Sequence, residues 1–124
     1  VQDLMHTGAN IPSVQENATL REALFEMTSK HLGMTTIQND QGQLQGIFTD
    51  GDLRRTLDNM INVHTTPIKT VMTTTCQTIS TSMLAVEALN IMQQNKITSL
   101  VITSNDRIVK GILHLHDLLQ AGVA

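Results

Sequence analysis

The sequence predicts an α/β (α+β) fold: two β-α-β-β-α repeats packed sheet to sheet with pseudo-two-fold symmetry. Three observations predict it. The first is self-similarity. Gly46-Ile47-Phe48-Thr49-Asp50-Gly51-Asp52-Leu53 aligns with Gly111-Ile112-Leu113-His114-Leu115-His116-Asp117-Leu118 at an offset of 65 residues (52 to 117). The same offset carries Glu22-Ala23-Leu24 onto Glu87-Ala88-Leu89 and Met27 onto Met92. The second is an apolar stripe of helical period in each half, and the third is a pair of β-branched runs separated by turn residues after each stripe. Leu4-Met5 and Val71-Met72 open the halves at a nearly equal offset of 67 (5 to 72). The repeats are therefore placed at 1–62 and 63–124, with the stretch Asn62 to Pro67 as the linker.

Taken in order, repeat one begins with a short extended piece, Ile11 to Val14. Thr19 then serves as an N-cap ahead of Leu20, Ala23, Leu24 and Met27, the i, i+3, i+4, i+7 stripe of an amphipathic helix, with Gly33 just past its end. Met34 to Ile37 reads as a strand, Asn39-Asp40-Gln41-Gly42 as a turn, and Leu44 to Phe48 as a second strand. A further helix follows, with Leu53, Leu57 and Met60 on one face. Repeat two runs through the extended piece Gln77 to Ile79, the stripe Ala85, Ala88, Leu89, Met92, and the strand Ser99 to Ile102. The turn Ser104-Asn105-Asp106, the strand Ile108 to Leu113 and a helix at Leu118 complete it. Three strands and two helices leave one sheet face uncovered in each repeat, and pairing the sheets is the natural way to close the core.

Composition narrows the function classes. A chain of 124 residues, 40% apolar and 15% charged, fits one compact domain or two small units sharing a core, too small for a catalytic domain plus a regulator. A net charge of -3 offers no electrostatic footprint for phosphate backbones, and with Phe25 and Phe48 the only aromatic residues there is no platform for stacked bases; nucleic acid is not expected as a partner. The single Cys76 rules out an internal disulfide or a multi-cysteine zinc site. No run of about 18 apolar residues and no signal-peptide pattern occurs, so no membrane partner is expected and the cytoplasm is the default compartment. Opening on Val1 instead of Met, the chain reads as a piece of a longer protein.

The repeated ending, hydrophobic-Gly-hydrophobic-x-Thr/His-x-x-Asp-Leu, resembles the CBS motif, and the resemblance spans the whole chain. More narrowly, Gly46 to Arg55 and His114 to Gly122 are similar to the C-terminal regulatory part of bacterial D-arabinose 5-phosphate isomerases, which join a sugar-isomerase domain to a CBS pair. That domain and its aldose-ketose active site are missing from this chain, so the resemblance implies a regulatory module with no catalytic residues, attached to an isomerase that supplies a precursor of the sugar acid Kdo. The implied ligand is a nucleotide or nucleotide-sugar: CMP-Kdo as an end product of lipopolysaccharide precursor synthesis, or AMP or ATP. A homodimer of CBS pairs is implied as well. The alternatives are a structural dimerisation module with vestigial clefts, and a CBS pair from another host enzyme or a transporter.

Carried over from the family, Asp52 and Asp117 hold a ribose, while Thr49 and His114 stand three residues earlier where ribose or phosphate is contacted. A carboxylate accepts both hydroxyl protons of a cis-diol, and the free N-H groups of a helix start attract phosphate oxygens. By the family's geometry Asp52 is joined by Gln77, Ile97 and Thr98, and Asp117 by Thr7, Pro12, Leu32 and Gly33. Two plainer readings stand beside this one. Thr49-x-x-Asp52 approximates a capping box, and the strand-end residues are ordinary edge and turn positions. Arg54 and Arg55 are either phosphate ligands or solvated helix charges. His114-Leu115-His116-Asp117 offers metal-ligand types, but His residues at i, i+2 need not converge and no further ligand is evident, so no metal is expected. His6, His31 and His64 carry no assigned role.

Overall fold

The structure is a computed structural model that describes residues 1–123 as two compact bodies. One comprises Pro12–Cys76. The other joins Val1–Ile11 to the chain from Gln77 onward.

In the first body the order is β1 (Ser13–Gln15), α1 (Leu20–Lys30), β2 (Met34–Gln38), β3 (Leu44–Thr49) and α2 (Asp50–Asp58). The sheet order is β1-β2-β3, with β1 parallel to β2 and β2 antiparallel to β3. Helix α1 starts where the sequence says it should: the Thr19 hydroxyl accepts the Glu22 N-H at 3.3 Å, satisfying one of the donors a helix start leaves free. It stops at His31, which takes the left-handed conformation (φ 61) usual at a helix end. Leu20, Ala23 and Met27 are buried against Ala18, Ile37, Phe48 and Ile68, and Leu24 packs on the rim of this core. All of Met34 to Ile37 is buried, so β2 is covered on both faces, and its hydroxyls are satisfied internally: Thr36 donates to the Pro12 carbonyl at 2.7 Å and Thr35 to the Thr36 carbonyl at 3.2 Å.

One expectation for this body is corrected. Leu57 and Met60 do not join Leu53 on a buried face; they are 55% and 92% exposed. Helix α2 instead buries Asp52 and Thr56, with the Thr56 hydroxyl on the Asp52 carbonyl at 2.8 Å. The helix ends at Asp58, so Met60, at φ 58, lies beyond it.

The second body repeats the plan as β4 (Thr78–Ile79), α3 (Ala85–Asn95), β5 (Ser99–Thr103), β6 (Val109–His114) and α4 (Leu115–Gln120), in the order β4-β5-β6. Ala88, Leu89 and Met92 of α3 bury against Ile79, Leu100, Ile102, Leu113 and Leu118, with Ala85 at the margin. Both copies break register at the same point, Ile37/Gln38 and Ile102/Thr103, 65 residues apart.

Each sheet gains a further one-residue strand from the segment that opens a repeat. Thr73 and Ile47 exchange backbone hydrogen bonds of 2.9 and 2.8 Å beside β3; His6 and Ile112 exchange bonds of 2.8 and 3.0 Å beside β6. The opening segment of each repeat thus packs with the sheet of the other repeat, Val71-Met72 in the first body and Leu4-Met5 in the second. Glycine makes the close approach possible. A Cβ on Gly46 would lie 2.8 Å from both the Met72 sulfur and the Thr73 carbonyl oxygen, and one on Gly111 would lie 2.6 Å from the Met5 sulfur and 2.9 Å from the His6 carbonyl oxygen.

Candidate functional site

Strand direction brings the candidate residues of each body to one end of its sheet. In the first body Pro12 precedes β1, Leu32 and Gly33 precede β2, and Thr49, paired with Met34, closes β3. Gly33 has φ 71, and its carbonyl accepts the Asp50 N-H at 3.1 Å, fixing the first turn of α2 beside the strand end. In the second body Gln77 precedes β4, Ile97 and Thr98 precede β5, and His114, paired with Ser99, closes β6; the Thr98 carbonyl accepts the Leu115 N-H at 2.8 Å. Thr7 follows the His6 bridge and is exposed. Asp52 therefore shares its own body with Pro12, Leu32 and Gly33, and Asp117 shares its own with Gln77, Ile97, Thr98 and Thr7.

Around Asp52 the capping box is fully formed. One carboxylate oxygen accepts the Thr49 N-H at 3.0 Å and the Thr49 hydroxyl at 3.1 Å, and the Asp52 N-H returns to that hydroxyl at 3.2 Å. The other oxygen accepts the Thr73 hydroxyl at 3.0 Å and the Arg55 guanidinium. Asp52 is 6% exposed, and every bond that stabilises its charge would have to rearrange before a ligand diol could take its place. Arg55 is thus a carboxylate partner, and Arg54 stays exposed.

Asp117 is held more lightly. One oxygen accepts the His114 N-H at 2.8 Å, and the Nε2 of His6 lies 3.1 Å from both oxygens. With a side chain 18% exposed, this carboxylate is the more accessible of the two. His114 caps α4 through Nδ1, which accepts the His116 N-H at 3.1 Å and leaves the proton of the neutral ring on Nε2. The His114 and His116 rings stack in parallel, centroids 4.9 Å apart. Burial pushes the His114 imidazole below its ordinary 6.5, and the neighbouring His116 and His6 push the same way; Asp117 opposes them in part. Among the described residues no group of three or more His, Cys, Asp or Glu is placed to hold a metal ion.

His6 and Thr73 are the site residues that sequence reasoning passed over. Both follow the matched methionines Met5 and Met72, so the 67-residue offset pointed to both. At the same end of the first body, an open groove of about 390 Å³ between α1 and α2 is lined by Leu24, Met27, Thr28, Asp50, Leu53 and one candidate residue, Gly33. It holds neither Thr49 nor Asp52.

The model of the CBS domain matches residues 1–59 and again 68–124. The chain belongs to the CBS-domain family. As a CBS pair it is 50% identical over 123 residues to the arabinose 5-phosphate isomerase KdsD of Escherichia coli K12, covering 99% of this chain and 37% of that protein. The Pseudomonas aeruginosa KdsD is also 50% identical, with 38% of its length covered. The chain thus spans little more than a third of the curated relatives it matches. Among solved structures, a putative acetoin utilization protein (AcuB) from Vibrio cholerae superposes with a TM-score of 0.86 at 23% identity, covering 99% of this chain and 89% of that one. The CBS domain pair of MJ0100, solved in complex with 5′-methylthioadenosine and S-adenosyl-L-methionine, gives 0.85 at 20% identity, covering 98% and 94%. CBSX2 in complex with AMP gives 0.83 at 21%, also covering 98% and 94%. These likenesses bear out the α+β repeat fold. Among the described residues no helix is long and apolar enough to cross a membrane.

Proposed function

We propose that this CBS pair is the ligand-sensing part of an arabinose 5-phosphate isomerase, binding a nucleotide or nucleotide-sugar and biasing an attached sugar-isomerase domain. The observation that carries the proposal is the 50% identity to KdsD isomerases across 99% of the chain. Support for the ligand class comes from CBS pairs of the same fold solved with AMP, 5′-methylthioadenosine and S-adenosyl-L-methionine. Asp117 is the better placed of the two carboxylates to take a ribose cis-diol, being more exposed and held by fewer donors than Asp52. A ligand regulates only through different affinities for two states of the parent, so binding to this module is the first requirement.

Isothermal titration with CMP-Kdo, AMP and ATP tests the proposal, repeated on Asp52→Ala and Asp117→Ala. We expect micromolar binding of at least one ligand, abolished by Asp117→Ala and largely retained by Asp52→Ala. Absence of heat with all three leaves the structural module as the working function. A specific observation favours that second reading: Phe25, Leu57 and Met60 in one body, and Leu84, Val86 and Leu119 in the other, are large apolar side chains exposed by 47% to 92%, the kind of surface a second copy covers. Sedimentation velocity would then be expected to show a dimer with or without ligand.

A further inference from the structure

We propose that Val1–Ile11 is a strap whose docking competes with ligand, and that His6 is its latch. The inference rests on the reading that Asp117 takes a ligand diol. The strap is fixed to its body from its first residue: the Val1 ammonium donates to the Met83 carbonyl at 3.2 Å, and Val1 packs against the core. Leu4 and Met5 pack half-buried against the core, Met5 sits against Gly111, and His6 forms the one-residue bridge to Ile112. The latch is a further contact. The His6 ring directs a single nitrogen at the fork of the Asp117 carboxylate, 3.1 Å from each oxygen, with 33% and 18% of the two side chains exposed.

A cis-diol engages a carboxylate by donating one O-H to each oxygen, which requires the same fork. The ring and the diol are therefore alternatives at Asp117. Ligand arrival frees the His6 ring and removes one of the contacts that dock the strap. By linkage, undocking the strap strengthens ligand binding by the same factor. The first body lacks this device. There the matching position is Thr73, whose hydroxyl shares Asp52 with Arg55 and Thr49, and the carboxylate is 7% exposed. The repeats thus differ chemically where they agree topologically: one carboxylate is locked by four donors, the other latched by one exchangeable ring. A bound ligand would in this way be reported at the N-terminal segment of the module.

The test uses the 124-residue chain with AMP and CMP as probes and 2′-deoxy-AMP as the control lacking the diol. Titration is performed on the wild type, His6→Ala, His6→Phe and Asp117→Ala, and backbone amide exchange at residues 4–8 and at Ile112 is followed without ligand, with AMP and with 2′-deoxy-AMP. His6→Phe keeps a packed ring without the N-H, so it decides the matter if His6→Ala folds poorly. The expected result is binding about five- to tenfold tighter in the His6 variants, at the low end of ordinary couplings between sites. Saturating AMP should also speed exchange of the His6 and Ile112 amides, and 2′-deoxy-AMP should not. If AMP or CMP binds and Asp117→Ala abolishes it, but the His6 variants bind no more tightly and the strap amides stay protected, the latch is overturned while the sensing function stands. Binding that survives Asp117→Ala also overturns the latch. No binding of either probe to any variant removes the diol reading, and the strap proposal falls with it.

Discussion

At the scale of single residues, the two repeats solve one problem with different chemistry. Thr49 and His114 both begin a helix, yet a hydroxyl both donates and accepts within the capping box, while the His114 ring only accepts and is itself half-buried beside two other imidazoles. Because those surroundings lower its pKa below 6.5, the folded state resists protonating His114 and the unfolded chain does not. The stability it contributes is full above the unfolded value of 6.5 and is lost as the pH falls from there through the lower folded value. His114→Thr should remove that part of the acid sensitivity. Urea midpoints at pH 7.5 and 5.5 are expected to differ less in the variant than in the wild type, and an unchanged difference would show that His114 does not contribute. The motif ending made Thr49, Asp52, His114 and Asp117 legible as a set. Of the donors that distinguish the two acids, Arg55 stands three residues from Asp52, whereas His6 and Thr73 were marked by the 67-residue offset alone and not as partners of the acids, because His6 lies 111 residues from Asp117 and Thr73 lies 21 from Asp52.

At the scale of elements, period and turn chemistry located the strands to within a residue or two and the apolar stripes of α1 and α3 inside their helices, while α2 and α4 were marked by single residues without ends. The Thr19 cap, the buried stripe of α1 and the matched strand pairs were all readable because each depends on near neighbours in sequence. Leu57 and Met60 misled for the opposite reason. Apolar spacing placed them on a face, while the capping box had already set the rotation of α2 by burying Asp52 and Thr56. The two strand glycines looked from sequence like parts of a motif; in the fold each is the floor over which another segment crosses. Gly46→Ala and Gly111→Ala should therefore each destabilise the protein by about 1–3 kcal/mol, as overpacking does where backbone must yield. In each case a backbone carbonyl lies within 2.9 Å of the added carbon, so a side-chain adjustment of Met72 or Met5 cannot absorb the change alone. Chemical denaturation checks this, and a loss under about 0.5 kcal/mol, the level of an ordinary surface change, would mean the crossing segments shift freely.

At the scale of the whole chain, sequence repeats and compact bodies are divided in different places. The repeat pattern places its boundary between 62 and 63, whereas Val1–Ile11 pack with the chain from Gln77 onward and Pro12–Cys76 stand as the other body. Offsets alone could not show this, because Leu4-Met5 and Val71-Met72 match each other equally well whichever sheet each one joins. The bridges His6–Ile112 and Thr73–Ile47, with Met5 against Gly111 and Met72 against Gly46, fix the choice. The exchange sets the consequence of a truncation. Removing residues 1–11 strips the first-repeat sequence but should injure the second-repeat sheet. It takes two backbone bonds from Ile112, uncovers the edge of β6, and withdraws Leu4 and Met5 from the core that holds Leu113 and Leu118. Hydrogen exchange on the truncated chain should show the amides of β6 and α4 losing protection first and most, with β2 and α1 affected least. Met72 and Thr73 still close the sheet of that other body. The reverse order, with α1 and β2 loosening first, would mean that the opening segment stabilises the repeat it belongs to in sequence.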